Sequence, residues 1–273
     1  MSFGQTILLG FIAGATILLG LPVARLQKIS VGAKVMLSSL ATGVLLFLFW
    51  DILSQAWAPV KTTLSSENFQ PYTATFYMIL VFFGIAAGLL PLVWYEKWFK
   101  KKSTTKPAKM TKTYQLALFI AVGIGLHNFA EGLAIGQSSA SGQISLAVML
   151  IVGFALHNAT EGFGVAAPLA GQANNANSPK PTSWFSLLFL GLVAGGPTVL
   201  GTALGYSFIS VITSIIFLAI AAGSILYVVL QLIIVAAKAN RGNLLAYGIL
   251  TGLCVGFITD AVITAAGTQL TRF

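Results

Sequence analysis

Charge is what this sequence has least of. Only 8% of its 273 residues are Asp, Glu, Lys or Arg, where a water-soluble domain carries about a quarter. Six acidic residues, two histidines and one cysteine complete the scarcity. A chain that is 57% hydrophobic and so poorly charged cannot cover a folded surface against water. That excludes a soluble enzyme or binding module and leaves an integral membrane protein. The lone cysteine, Cys254, excludes a disulfide framework. No G-x-x-x-x-G-K-[ST] string occurs, so ATP has no phosphate-binding loop here, and H-E-x-x-H and G-x-S-x-G are missing as well. The net charge of +9 does not imply nucleic acid, because the lysines fall in the gaps between apolar runs and form no basic face on a folded domain.

What is present is apolar length. A bilayer crossing needs about 20 largely apolar residues, and eight runs qualify: residues 3–24, 35–57, 72–94, 114–136, 144–167, 184–206, 208–237 and 244–267. The expected fold is all-α, an integral membrane bundle of eight transmembrane helices forming a single polytopic domain over residues 1–273. The first run has no basic segment before it and no small-residue cleavage site after it, so it reads as a retained helix. Trp57, Trp94, Tyr95, Trp98 and Trp184 mark span ends, as interfacial aromatics do. With both termini extracytoplasmic, 13 of the 15 basic residues fall inside, leaving only Lys61 and Arg272 outside. A basic cytoplasmic loop over about residues 95–113, "KWFKKKSTTKPAKMTK" at its centre, reads as a solvated positive-inside loop beside membrane lipid. The stretch "AGQANNANSPKPTS" reads as a polar connector, with Pro168 ending or kinking the fifth span.

Of the six acids, Glu67 falls in an exterior loop and Glu96 at an interface, where neither needs a special reason. Asp51, Glu131, Glu161 and Asp260 lie within spans or near their ends, beside the only histidines, His127 and His157. A charge at the bilayer centre costs about 2.5–3.5 kcal/mol on insertion scales, so something must offset it. "GLHNFAEGLAIG" in the fourth span is echoed by "ALHNATEGFGVA" in the fifth. Residues at i and i+4 share one helix face, so His127 and Glu131 point together, as do His157 and Glu161. The short link "QSSASGQ" makes the two spans an antiparallel hairpin with both motifs at similar depth. Two imidazoles and two carboxylates around one point suit a borderline divalent cation, and Asn128 and Asn158, one position round the helix, can add amide oxygens. Interhelical hydrogen bonding or a metal-free proton relay would also use such residues. The flanking glycines are assigned to close helix packing.

The paired "HNFAEG" and "HNATEG" strings resemble the signature of the ZIP (ZRT/IRT-like) family of divalent metal transporters, and the eight-span layout with both termini outside resembles it too. The resemblance implies a ZIP-like bundle with the metal site between helices 4 and 5, often binuclear, and flanking helices that rearrange for alternating access. It implies His127, Glu131, His157 and Glu161 as primary ligands, with Asn128 and Asn158 serving a second or shared position. Asp51 in "FWDILSQAW" loosely matches a polar residue near the pathway mouth. The sequence departs from the pattern on its sixth helix, where "GLVAGGPTVLG" has no acid before the proline and Thr198 is the nearest polar residue. On the seventh, Gln231 stands where His and Glu are common in the family. Asp260 in the eighth span either compensates or pairs with the hydroxyl of Thr259. The function expected is transport of a divalent metal towards the cytoplasm, zinc first, with iron, manganese, cobalt and cadmium as alternatives, across a membrane for which the compact loops favour a bacterial inner membrane. The metal is cargo, no cofactor is implied, and a homodimer is an assembly the resemblance allows. The rival readings are a non-metal proton or ion channel and an intramembrane metallohydrolase, the latter weakened because the order is His-Asn-x-x-Glu and no residue is left to act as base once the glutamates bind metal.

Overall fold

The computed structural model describes residues 1–26, 28–65, 69–103, 111–142, 144–171, 182–208 and 210–270. It places eight helices among them, in the order α1 (Phe3–Ala15), α2 (Val31–Leu64), α3 (Pro71–Ser103), α4 (Lys112–Ala140), α5 (Ile144–Ala166), α6 (Trp184–Ser207), α7 (Val211–Ala237) and α8 (Gly242–Leu270). No strand occurs among the described residues. Seven of the eight segments are long and apolar enough to cross a membrane, and the remaining one, α5, has 23 residues. The all-α, eight-helix membrane bundle read from the sequence is therefore the fold.

The helix starts arise from local chemistry. Ser30, Thr111, Ser183 and Ser210 each accept a hydrogen bond from the backbone N–H three residues on, satisfying one of the donors that every helix start leaves free. Ser2 and Gln5 form a reciprocal capping box at the start of α1. α5 stops at Ala166, two residues before Pro168, as the bias against helical geometry before proline requires. The expected loop over residues 95–113 is shorter than its sequence suggests, since α3 continues to Ser103. Residues 104–110, most of the connector after α5 with Lys180, and Glu67 and Arg272 lie outside the described residues.

Two boundaries differ from the apolar runs. The first run is not one regular helix: α1 ends at Ala15 and two 3-10 turns, Thr16–Leu19 and Leu21–Arg25, complete the crossing. Pro22, which has no N–H to give, falls at the start of the second 3-10 turn, whereas Pro59, Pro91 and Pro197 lie inside α2, α3 and α6. α7 begins at Val211 because Phe208, extended, closes α6 and the Ser210 hydroxyl caps the new helix.

The helices form two groups. α4 packs most extensively on α6, and α1 lies against α5 and α6; α2 packs on α8 and α7, and α3 on α7. Glycine permits the closest approaches. A Cβ at Gly132 would collide with the carbonyl oxygen of Thr198, and one at Gly201 with that of Phe129, so α4 and α6 meet backbone to backbone. The irregular end of the first segment touches α5 the same way, because Gly162 faces the carbonyl of Ile17 and Gly20 faces that of Ala159. At its far end Arg25 donates to the carbonyl of Thr182 at 3.0 Å and stacks over the ring of Trp184, tying the first segment to α6. The result holds α5 between α1, α4 and the second group at the level of its polar motif.

Candidate metal centre

α4 and α5 are antiparallel, joined through a tight turn in which Gly142 takes φ +76°, a backbone region that favours glycine. His127 and Glu131 are one turn apart on α4, His157 and Glu161 one turn apart on α5, and the antiparallel register crosses the pairs. His157 Nε2 lies 2.6 Å from Glu131 Oε1, and His127 Nε2 lies 3.4 Å from Glu161 Oε1. Within α4, His127 Nε2 is 3.0 Å from Glu131 Oε1. The imidazole centroids are 6.3 Å apart. One ligand atom from each of His127, His157 and Glu161 falls within 4.8 Å of the others, close enough to share one ion. His127 is fully buried, Glu131 and Glu161 nearly so, and only His157 keeps contact with open space.

The amides are held from behind. Asn128 donates its Nδ2 hydrogen to the carbonyl of Ala194 on α6, and Asn158 donates to that of Ala13 on α1, both at 3.0 Å. Their oxygens receive nothing. Among the described residues eight buried side-chain nitrogens or oxygens lack a hydrogen-bond partner, and seven of them belong to His127, Asn128, Glu131, Asn158 and Glu161. The eighth is the hydroxyl oxygen of Thr198. An unmade hydrogen bond on a buried group costs about 1–3 kcal/mol, more when charged. Nearly all such atoms gather on one motif, most of them oxygens or a ring nitrogen with a lone pair to give. A divalent cation takes lone pairs, and the set of imidazole nitrogens with carboxylate and amide oxygens suits zinc and its neighbours.

The structure also locates the remaining polar residues. Asp51 of α2 and Asp260 of α8 line one cavity of about 220 Å³ with His157. The α5 residues lining it begin at Leu150 and reach Thr160, so it extends from His157 towards the end of the bundle opposite the lysine-rich one. Gln55 donates to Asp51 at 2.9 Å, whereas no hydrogen bond joins Asp260 to Thr259 among the described residues. Thr198 lies one turn beyond Ala194 on α6, its hydroxyl 3.0 Å from where a Cβ of Gly14 would stand.

Gln231 is elsewhere. Its amide donates to Glu96 Oε2 at 2.6 Å, and the Tyr227 hydroxyl donates to the same oxygen at 3.0 Å. Glu96, expected at an interface from its place beside Trp94 and Trp98, is thus also a buried, hydrogen-bonded acid. The signal that would have found it is Tyr227 and Gln231 at i and i+4 in the largely apolar second half of α7, a polar stripe in need of a partner.

The six motif residues and these distances stand beside one comparison. The family model described as ZIP zinc transporter matches residues 96–264, from the end of α3 to most of α8 and more than half of the chain. Against the curated proteins no match is found.

Proposed function

Since the chain belongs to the ZIP zinc transporter family, we propose that it carries zinc, ahead of iron, manganese, cobalt and cadmium, held by His127, Glu131, His157 and Glu161 at mid-membrane. Family membership carries the coarser statement, that this is a divalent metal transporter in a multi-pass membrane protein. The finer reading rests on the crossed histidine–glutamate pairs and their unpaired lone pairs. In it, the cation arrives from the side opposite the lysine-rich end and is drawn into the cavity between Asp51 and Asp260, where it meets His157 first. It then loses water to the two glutamates and to His127. A doubly positive guest neutralises both carboxylates and takes the lone pairs of both imidazoles, which removes the insertion cost that makes either acid expensive alone. Asn128 and Asn158, anchored through their nitrogens, offer their oxygens without a rotamer search.

With no acid on α6, the set holds one cation at a time, and Thr198 tunes the pocket behind the amides without supplying charge. Release towards the lysine-rich, cytoplasmic end requires a rearrangement of α4 and α5 against the second helix group. With no nucleotide loop in this chain, the metal gradient, the membrane potential or linked protons drive it. In this reading both termini are outside, which the distribution of basic residues supports, the membrane is a bacterial inner membrane, and the assembly is a homodimer. Radioactive zinc uptake into proteoliposomes tests the site: His127→Ala combined with His157→Ala should reduce uptake to that of empty vesicles, and transport at the wild-type rate would refute the assignment.

A further inference from the structure

A larger cavity lies away from the metal centre. It measures about 650 Å³ and opens between α3, α4 and α7 at the lysine-rich end. Each of the three helices contributes one lysine to it, counting the Lys238 cap of α7: Lys97, Lys112 and Lys238. All three are exposed, and among the described residues none has a carboxylate within ion-pair distance. The one acid lining the cavity, Glu96, is buried and already accepts from Tyr227 and Gln231, so the mouth carries an excess of positive charge. The first turn of α4 adds its own partial positive charge, with Lys112 and Thr113 both lining the cavity. Below that charged rim the walls are mainly apolar, built by Val93, Leu116, Phe119 and Ile234, with Gln115 and Gln231 among them.

A divalent cation gains nothing from such a mouth. A free anion would be drawn to the rim but has no use for the apolar walls. We propose that this cavity is a binding site for an anionic phospholipid of the adjoining leaflet, its phosphate held by Lys97, Lys112 and Lys238 and the start of an acyl chain laid along α3, α4 and α7. Basic pockets between membrane helices bind such headgroups by the same combination of charge and apolar wall. The headgroup would join α4, which carries half of the metal centre, to the two helices of the other group.

The test is native mass spectrometry of the full chain in detergent, titrated with phosphatidylglycerol or with phosphatidylcholine of the same acyl chains. One phosphatidylglycerol should bind at least tenfold more tightly than any phosphatidylcholine. Each lysine-to-glutamine change should weaken it about fivefold, and K97Q/K112Q/K238Q together on the order of a hundredfold. The corresponding triple arginine variant should keep the preference, because charge and not lysine is required. Thermal unfolding in lipid-free detergent should match wild type for both triple variants, and if the glutamine triple does not fold, the single variants carry the same measurement. Equal binding of the two lipids, an unchanged glutamine variant, or full displacement of the lipid by millimolar inorganic phosphate would each overturn the proposal. Lipid occupancy is read without metal, so the outcome is independent of the transport pathway.

Discussion

At the centre of the bundle, Glu131 Oε1 is shared between two imidazole nitrogens, at 2.6 Å and 3.0 Å, while Glu161 approaches one nitrogen at 3.4 Å and leaves both of its oxygens unpaired. The two glutamates are therefore not equivalent in their contacts, although the proposed site uses both as ligands. Glu131→Gln and Glu161→Gln should each lower zinc affinity, read by isothermal titration, by more than about a hundredfold, beyond the ten- to hundredfold loss typical of residues that only orient ligands. Asn158→Ala should fall within that smaller range if its amide positions or weakly ligates, and an unchanged affinity would remove it from the site. Protons compete for the same lone pairs. Zinc needs neutral histidine and ionised glutamate, so acidification protonates the ligands and must weaken binding, by about tenfold per pH unit for each proton displaced. Half-saturating zinc for uptake should rise as the outer pH is lowered from neutrality. A constant value across that range would mean that the histidines do not ligate.

Apolar length made the eight helices legible as elements, and the i, i+4 repeat made the two histidine–glutamate pairs legible on two of them, because both patterns are local. What crosses between elements was not. Pro22 in "TILLGLPVAR" does not by itself separate a straight span from the broken one observed, since Pro59, Pro91 and Pro197 all sit inside regular helices of the same bundle. The convergence of Asp51 and Asp260 on His157 needs three helices to meet, which a single sequence does not encode visibly. The break has a consequence for the site, because the irregular segment leans on α5 through Gly20 and Gly162, next to Glu161. Gly162→Val would push its side chain into the carbonyl of Ile17, and overpacking of this kind costs about 1–3 kcal/mol. The variant should unfold at a lower temperature in detergent and bind zinc more weakly. Gly4→Ala, which meets nothing within 4 Å, should do neither, and equal behaviour of the two would show that the close approach is not needed.

For the whole molecule, the proposed metal ligands all belong to the group formed by α1, α4, α5 and α6, while the second group supplies Asp51 and Asp260 at the proposed mouth. A site on one group, reached past the other, works as a carrier only if the groups move relative to each other. A fixed pore would need no such motion, which separates the two readings. α4 meets α7 of the second group at Gly123, where a Cβ would stand 2.5 Å from Val228 Cγ2. That approach brings two introduced cysteines within reach of disulfide geometry. In a Cys254→Ser background, which leaves no other thiol, Gly123→Cys with Val228→Cys should transport while reduced, stop when oxidised, and recover when a reductant breaks the bond. Each single-cysteine protein should be indifferent to oxidation, which excludes damage elsewhere. If the cross-linked protein, verified by its resistance to alkylation, still saturates with zinc at the reduced rate, the two groups need not separate and transport by rearrangement is wrong. If it binds zinc at equilibrium but does not pass it, the bond has isolated movement from ligation, because the four proposed ligands on α4 and α5 remain together while their group is held against its neighbour.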